Sequence, residues 1–156
     1  MTDLEKIIIQ RACEELVLRA HLYTDRCEHD KIMGLFAPDI VIDHVVVGTM
    51  SGTAAVQKYY DAKITTIVGQ HNTSNIIIDV IDGDNATGVA YYAFYYAAPG
   101  TKIPAPLNGP AVVGYYTDKF KRVNGQWKFA YRKMTNTFQA GPMDNINLID
   151  KKAMKA

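Results

Sequence analysis

The sequence contains little cysteine and carries almost no net charge. Its 156 residues include two cysteines, and 17 Lys plus Arg against 16 Asp plus Glu leave a formal net charge of +1. Cys13 and Cys27 form no CxxC pair, which predicts reduced thiols in a cytoplasmic protein rather than a disulfide framework. No block of Lys and Arg is present, so we expect no nucleic-acid or anionic-membrane partner, because phosphate binding needs clustered cations.

Long apolar runs are also absent. The longest uncharged stretch, residues 85–101, is interrupted by Gly88 and is shorter than the ~20 apolar residues of a spanning helix. The acidic start of the chain is not typical of a signal peptide. We therefore expect a soluble protein. At this length a single domain buries roughly 70% of the surface of its unfolded chain, which needs no disulfide or metal.

The motifs of several enzyme classes are missing. There is no GxSxG, P-loop or GxGxxG sequence, so covalent hydrolysis and nucleotide or dinucleotide binding lack a motif. His21, Asp25 and His29 could share one helix face, but no HExxH or HxH spacing accompanies them. We expect neither a metal nor a cofactor.

The first half of the chain has helical patterns. Thr2 and Glu5 form a capping box, in which each side chain covers a free backbone N–H of the other residue. Apolar residues three and four positions apart then predict a helix with one apolar stripe: Leu4, Ile7, Ile8, Ala12, Leu16, Ala20 and Tyr23. Further patterns predict helices over residues 29–36 and 53–68, a strand over 40–47 and a turn over 48–52.

The second half has strand patterns. Residues 71–80 and 86–98 flank a turn, and residues 111–123 and 126–137 flank Asn124-Gly125, a type I′ hairpin sequence. Helices followed by strands predict an α+β fold, with helices on one face of an antiparallel sheet. In residues 86–98 both the odd-numbered and the even-numbered positions are apolar, which predicts that both faces of this strand are covered. A sheet curled into a cone and a sheet with a subunit interface on its outer face both satisfy this.

The histidines are the most informative polar residues. A carboxylate bonded to an imidazole fixes the ring tautomer and raises its basicity, as a general base requires. Asp25 ends the first helix, and the spacing leaves its partner open between His21, His29 and a histidine from another element. His44 lies in the first predicted strand. In each Tyr-Tyr pair of a strand, one phenol points to each face, so some phenols can line a cavity.

The order of these elements resembles a known family. Leu35 to Asp39, then Val41-Ile42-Asp43, Gly114 to Asp118, Asn124 to Phe129 and Arg132 follow one another as in SnoaL-like proteins of the nuclear transport factor 2-like superfamily. The resemblance covers about residues 5–138. It implies a cone-shaped α+β barrel, in which three N-terminal helices pack against a strongly curved, mostly antiparallel sheet around a deep pocket.

The resemblance also implies candidate site residues. Scytalone dehydratase, lindane dehydrochlorinase and bile-acid dehydratase of this family use an Asp–His dyad to remove a proton from carbon. The dyad positions of the first two fall on Asp25 and His71, and a pocket tyrosine of scytalone dehydratase corresponds to His44. Arg132 occupies a position that is often basic, where it holds the sheet or contacts substrate. The second pocket histidine of scytalone dehydratase has no counterpart, which argues against scytalone as substrate.

These observations predict a cofactor-independent lyase or isomerase for a small apolar cyclic or polyketide-like molecule. His71 is the predicted base and Asp25 orients it, while His44 and a cavity tyrosine, Tyr59 or Tyr115, polarise a carbonyl or protonate a leaving hydroxyl. The alternatives are a non-catalytic binding or assembly module and, less well matched, an epoxide-opening enzyme with several pocket carboxylates. We expect a homodimer or homotrimer, a single domain over residues 1–138 and a tail over 139–156.

Overall fold

Three helices precede most of a six-stranded sheet in the computed structural model, which describes residues 1–142 and 148–150. The helices are α1 (Asp3–Asp25), α2 (His29–Met33) and α3 (Gly52–Asp61). The strands are β1 (Phe36–His44), β2 (Gly48–Ser51), β3 (Val68–Val80), β4 (Asn85–Ala97), β5 (Val112–Val123) and β6 (Gln126–Gln139). No helix in this described part of the chain has the length and apolar character needed to cross a bilayer.

Helix α1 begins where the capping box predicts. The backbone N–H of Glu5 donates to the Thr2 hydroxyl, and the Glu5 carboxylate accepts from the Thr2 N–H at 2.6 Å. The predicted apolar stripe is wrong over the first turns. At about 3.6 residues per turn, Leu4, Ile7 and Ile8 lie opposite the face that packs on the sheet, and they are exposed. The buried face consists of Ile9, Cys13, Leu16, Val17, Ala20 and His21.

Two helices end earlier than predicted. Helix α2 stops at Met33, and Phe36 instead begins β1, where it pairs with Phe129 of β6. The strand then passes through Pro38, which lies where the β1–β6 register shifts, so its missing N–H interrupts no regular ladder. Helix α3 ends at Asp61 rather than at residue 68, because the chain turns there and β3 already begins at Val68. The predicted turn over 48–52 contains β2, which forms a hairpin with β1.

The strand order is β2-β1-β6-β5-β4-β3, and only the β1–β6 pair is parallel. Asn124 and Gly125 adopt positive φ angles of 49° and 80°, as a type I′ turn requires. The sheet is curved and unclosed, with the three helices beside it. The α+β cone implied by the family resemblance is therefore confirmed.

Among the residues that the structure describes, strand β4 is buried mainly on its concave face. Ala90, Tyr92 and Phe94 on the concave face are buried, whereas Val89 and Tyr91 on the convex face are exposed. The prediction that both faces are covered, the outer one by a subunit interface, stays a prediction. The curvature of the sheet explains why the residues on the concave face are buried. On the convex face Val89 and Tyr91 are apolar or aromatic and exposed.

Residues after β6 also contribute to the fold. Ile149 is buried and forms an isolated bridge with Lys63, although the sequence analysis placed it in an irregular tail. The rest of that predicted tail, residues 143–147 and 151–156, lies outside the described residues. The division into a domain over 1–138 and a tail stays a prediction, but residues 148–150 pack on the domain.

Two buried clusters lie between the helices and the concave face of the sheet. The larger one joins α1, α3 and the sheet, and includes the fully buried Phe120 and Phe129. The smaller one consists of Tyr92, Phe94, Val112 and Tyr116 on β4 and β5. These four side chains form part of the wall of a cavity, described next.

Candidate active site

A cavity opens between the helices and the concave face of the sheet. Counted out to its open mouth, it measures about 1060 Å³. Apolar and aromatic side chains form most of its wall, as is usual for sites that bind small organic molecules. The polar and charged side chains that line it are His21, Thr24, Asp25, His44, Tyr59, Tyr60, Lys63, His71, Tyr92, Tyr116, Arg132 and Asn136.

Asp25 and His71 meet in this cavity. Asp25 is the last residue of α1, and His71 lies near the start of β3. Nδ1 of His71 is 2.5 Å from Oδ1 of Asp25, and the backbone N–H of His71 donates to Oδ2 at 2.8 Å. Both side chains keep a small exposed fraction, 12% for His71 and 17% for Asp25. The carboxylate therefore holds the proton on Nδ1 and leaves the Nε2 lone pair of His71 free.

The environment keeps the His71 ring neutral. Burial lowers the pKa of His71 below its ordinary value, because desolvation penalises the imidazolium more than Asp25 stabilises it. The positive charges of Lys63 and Arg132 act in the same direction. A neutral imidazole with a free Nε2 is the form that accepts a proton.

His21 occupies a place that the sequence analysis did not foresee. Its local pairing with Asp25 is not formed; its ring instead stacks on His71, with centroids 4.8 Å apart and planes 8° apart. Nδ1 of His21 lies 2.5 Å from the Thr73 hydroxyl, and Nε2 is buried without a partner in the described part of the chain. Burial lowers the pKa of His21 well below its ordinary value. His29, the other local candidate for Asp25, packs against Tyr60 and is not part of the cavity wall.

His44 and Tyr59 lie together in another part of the cavity wall. Nδ1 of His44 accepts the backbone N–H of Val46 at 3.1 Å, so the ring proton is on Nε2, which lies 3.1 Å from the Tyr59 hydroxyl. The hydroxyl thus accepts from His44 and keeps its own proton for another acceptor. Burial lowers the pKa of His44 to about 4, and burial raises the pKa of Tyr59. Both groups are neutral near pH 7.

Tyr115 does not line the cavity. Its ring lies near that of Tyr91, on the convex face, with centroids 6.0 Å apart. The prediction of Tyr115 as a cavity residue is therefore wrong, because strand alternation places the next residue, Tyr116, inside instead. Tyr92 also points inward, and its hydroxyl donates to Oδ1 of Asn136 at 2.6 Å.

Arg132 is held by a carboxylate of its own sheet. Its Nε and Nη2 donate to the two carboxylate oxygens of Asp118 at 2.8 and 2.7 Å. The guanidinium also lies 4.3 Å from the Tyr116 ring centroid and 4.2 Å from that of Phe129. Desolvation opposes its charge, but the Asp118 carboxylate outweighs this effect and raises the pKa of Arg132. Of the two roles that the sequence analysis weighed, this geometry favours the one that holds the sheet.

Lys63 is a cavity residue that the sequence analysis missed. Its ammonium nitrogen lies 5.6 Å from the Tyr59 ring centroid and 5.8 Å from that of Tyr60. Nothing in the pattern of the sequence marks it, because it follows α3 in an irregular segment.

Residues 1–142 and 148–150 contain no cluster of three His, Cys, Asp or Glu side chains able to hold a metal ion.

Comparison with known proteins gives a family and a set of similar folds. A family model described as a SnoaL-like domain matches residues 5–133. No curated protein matches the chain significantly.

Three solved structures illustrate the likeness. A putative scytalone dehydratase from Novosphingobium aromaticivorans is 21% identical, with a TM-score of 0.71 over 88% of this chain and 89% of that one. A hexachlorocyclohexane dehydrochlorinase, LinA-type3 from Novosphingobium barchaimii, is 14% identical, with a TM-score of 0.71 over 90% and 97%. A protein of unknown function from Mycobacterium tuberculosis is 24% identical, with a TM-score of 0.72 over 90% and 79%. At these identities the likeness establishes a shared fold.

Proposed function

The chain belongs to the SnoaL-like domain family, and on that premise we propose that it is a cofactor-independent lyase or isomerase of the dehydratase type. The observation that carries the proposal is the Asp25–His71 pair, 2.5 Å apart in the wall of a largely apolar cavity. A carboxylate-bound, neutral imidazole is suited to remove a proton from carbon. Structures with dehydratase and dehydrochlorinase descriptions share the fold, which is consistent with this chemistry.

The first step is a proton transfer. Nε2 of His71 takes a proton from a carbon of the substrate, and Asp25 stabilises the imidazolium that forms. The electron pair of the broken C–H bond moves into the substrate. A base positioned in this way contributes about 10²–10⁴-fold to the rate.

The electron pair then needs an acceptor. The Tyr59 hydroxyl is free to donate to a carbonyl oxygen or to a departing hydroxyl, because His44 already donates to it. In dehydration the pair forms a C=C bond while the neighbouring C–O bond breaks, and the departing hydroxyl takes the proton from the His71 imidazolium and leaves as water, which returns His71 to its neutral form. In a double-bond shift or ring closure the same proton transfer is followed by reprotonation or bond formation elsewhere.

The cavity supports a small, mostly apolar cyclic or polyketide-like substrate. Apolar side chains such as Ile42, Met50, Phe94 and Val112 line the same cavity as the polar groups and reduce their contact with water. In such surroundings each remaining hydrogen bond is stronger than in water.

Proton abstraction can be tested before the final product is known. A panel of cyclic ketones in D₂O is followed by ¹H NMR for loss of the signal of the proton next to the carbonyl. We expect the wild type to catalyse exchange, and His71→Gln and Asp25→Asn to lose most of it. His29→Gln is the matched control, because His29 is a nearby histidine outside the cavity wall. Absence of exchange in the wild type, or equal exchange in both dyad variants, would contradict the proposal.

The alternative is a non-catalytic binding or assembly module of the same fold. Such a module would bind members of the panel without exchanging their protons. The same experiment therefore separates the two functions.

We further propose that the protein is a cytoplasmic homo-oligomer. Ile77, Val89 and Tyr91 form an exposed apolar group on the convex face of β3 and β4, which supports a homodimer or homotrimer. Size-exclusion chromatography with light scattering tests this, and a monomer would refute it. Cys13 and Cys27 are free thiols, which supports the cytoplasm as the compartment.

A further inference from the structure

Lys63 places a cation inside the cavity. Its ammonium group lies over the faces of Tyr59 and Tyr60. Within residues 1–142 and 148–150, no carboxylate forms an ion pair with Lys63 and no acceptor receives a hydrogen bond from its side chain. The negative faces of two aromatic rings stabilise the charge there.

The backbone on both sides of Lys63 is fixed. Its N–H donates to the carbonyl of Tyr60 at 3.2 Å, at the end of α3. The segment 148–150 pairs with it from the other side: Ile64 N–H donates to Leu148, and Asp150 N–H donates to Ala62 at 2.7 Å. This double attachment holds the residue where its side chain enters the cavity.

The charge of Lys63 affects the pKa of other groups in the cavity wall. Burial lowers the pKa of Lys63, against the opposing influence of Tyr60, Cys27 and Asp25. Its charge in turn lowers the pKa of both His44 and His71, although burial contributes more to each of those changes. Lys63, His44 and His71 line the same cavity, so the ammonium group is placed to act on charge that develops within it.

Such a group is suited to an oxygen that becomes negative during the reaction. Tyr59 contacts both Lys63 and His44: its ring lies under the Lys63 ammonium group, and its hydroxyl accepts a hydrogen bond from His44. One wall of the cavity therefore carries the base and another carries a cation beside a phenol donor. A substrate spanning them has its acidic C–H at one end and its oxygen at the other.

We propose that Lys63 binds the developing oxyanion, and that the substrates are apolar carbonyl compounds with an acidic C–H next to the carbonyl. This inference rests on the proposed function. As His71 Nε2 takes the proton, the C–H electron pair forms a C=C bond and the C=O π pair moves onto oxygen. Lys63 and Tyr59 donate hydrogen bonds to that oxygen without transferring a proton. When the enolate collapses, the oxygen pair re-forms the C=O bond. The C=C pair then either takes the proton back from the His71 imidazolium, or forms a new C=C bond as the C–O bond of a neighbouring hydroxyl breaks; that hydroxyl takes the proton from His71 and leaves as water.

The test uses 4-nitrophenol, an apolar molecule whose phenolate resembles an enolate oxygen. The phenolate absorbs visible light and the phenol does not, so absorbance reports the ionisation of the bound molecule. In saturating wild-type protein we expect the pKa of bound 4-nitrophenol to fall by about 1 to 3, as beside an opposite charge. Lys63→Met should abolish the decrease, and Lys63→Arg, which keeps the charge, should retain most of it.

Lys58→Met is the matched control, because Lys58 lies on the exposed side of α3; it should behave as the wild type does. Thermal unfolding shows whether Lys63→Met is folded, and removal of an unpaired charge should not lower its midpoint. Three outcomes would overturn the inference: no binding of 4-nitrophenol, binding without a lower pKa, or the same decrease in Lys63→Met. The dyad is tested separately, since loss of deuterium exchange in His71→Gln with an unchanged nitrophenol titration leaves the Lys63 inference intact.

Discussion

Two carboxylates of this protein each hold a basic side chain in the cavity wall, and they do so differently. Asp118 bonds Arg132 through both oxygens, and the two residues are 1% and 7% exposed. Asp25 bonds the Nδ1 and the backbone N–H of His71, and it leaves the opposite ring nitrogen free. In the Asp118–Arg132 pair the two charges neutralise each other. In the Asp25–His71 pair, Nε2 of His71 stays available to a substrate.

The surroundings reinforce the difference. The Arg132 guanidinium lies over the rings of Tyr116 and Phe129 and remains charged. The His71 ring stacks on the neutral His21 and next to Phe94, where burial keeps it neutral as well. A carboxylate alone therefore does not mark a catalytic site. The unused, uncharged nitrogen of its partner distinguishes Asp25–His71 as the pair suited to proton transfer.

The largest expected effect is a loss of activity when the Asp25–His71 pair is changed. His71→Gln should lower the rate of proton exchange by about 10²–10⁴-fold, while the urea midpoint changes little because glutamine keeps a polar side chain at the cavity edge. Activity of the wild type should also fall as the pH drops through the lowered pKa of His71, since the imidazolium cannot accept a proton. A fall in rate centred above pH 6.5, the ordinary pKa of histidine, would contradict this assignment.

The next effect is a loss of stability when the Asp118–Arg132 pair is changed. Asp118→Asn removes the charge that compensates buried Arg132, which should reduce the free energy of unfolding by about 3–5 kcal/mol. Urea denaturation measures the change. Asp25→Asn is the comparison variant and should cost clearly less, because its partner carries no charge. Equal losses for the two variants would remove the distinction between the pairs.

Acid should destabilise the protein through its histidines rather than through Arg132. The folded-state pKa of His44 is about 4, against an ordinary value of 6.5. Between these pH values the unfolded chain binds a proton that the folded chain does not, so stability falls as pH falls. The expected loss from His44 is about 3 kcal/mol, and His21, His29 and His71 act in the same direction. Thermal unfolding from pH 7 to 4 checks this, and a constant midpoint would be inconsistent with it.

The smallest effect concerns a third pair on the surface. Lys121 bonds Asp39 at 2.5 Å, but the Asp39 side chain is 70% exposed. Solvent screens such pairs, so Lys121→Met should leave the urea midpoint almost unchanged. A loss comparable to that of Asp118→Asn would show that burial is not what separates the pairs.

Much of the fold could be predicted from local patterns. The capping box at Thr2 and the Asn124-Gly125 turn depend on residues next to each other in sequence, and both form as predicted. The family resemblance supplied the cone and placed Asp25 opposite His71, two residues far apart in the chain. The helix ends were less predictable, because pairing partners such as Phe129 for Phe36 decide them.

The rest of the site depends on long-range packing. Tyr115 and Tyr116 are chemically identical neighbours, so the register of β5 decides which of them faces the cavity. The stacking of His21 on His71 requires α1 to lie against β3 at one particular position. Lys63 is directed inward by pairing with residues 148–150, which are far away in sequence and give no local pattern.

The central claim is that His71 is a neutral base whose Nε2 is free, and ¹⁵N NMR of the imidazole nitrogens tests it most directly. The His71 signals are assigned by their absence in His71→Gln. At pH 7 the account predicts a protonated Nδ1 and an unprotonated Nε2, with that tautomer less populated in Asp25→Asn. An imidazolium at pH 7, or a proton on Nε2 in the wild type, would contradict it.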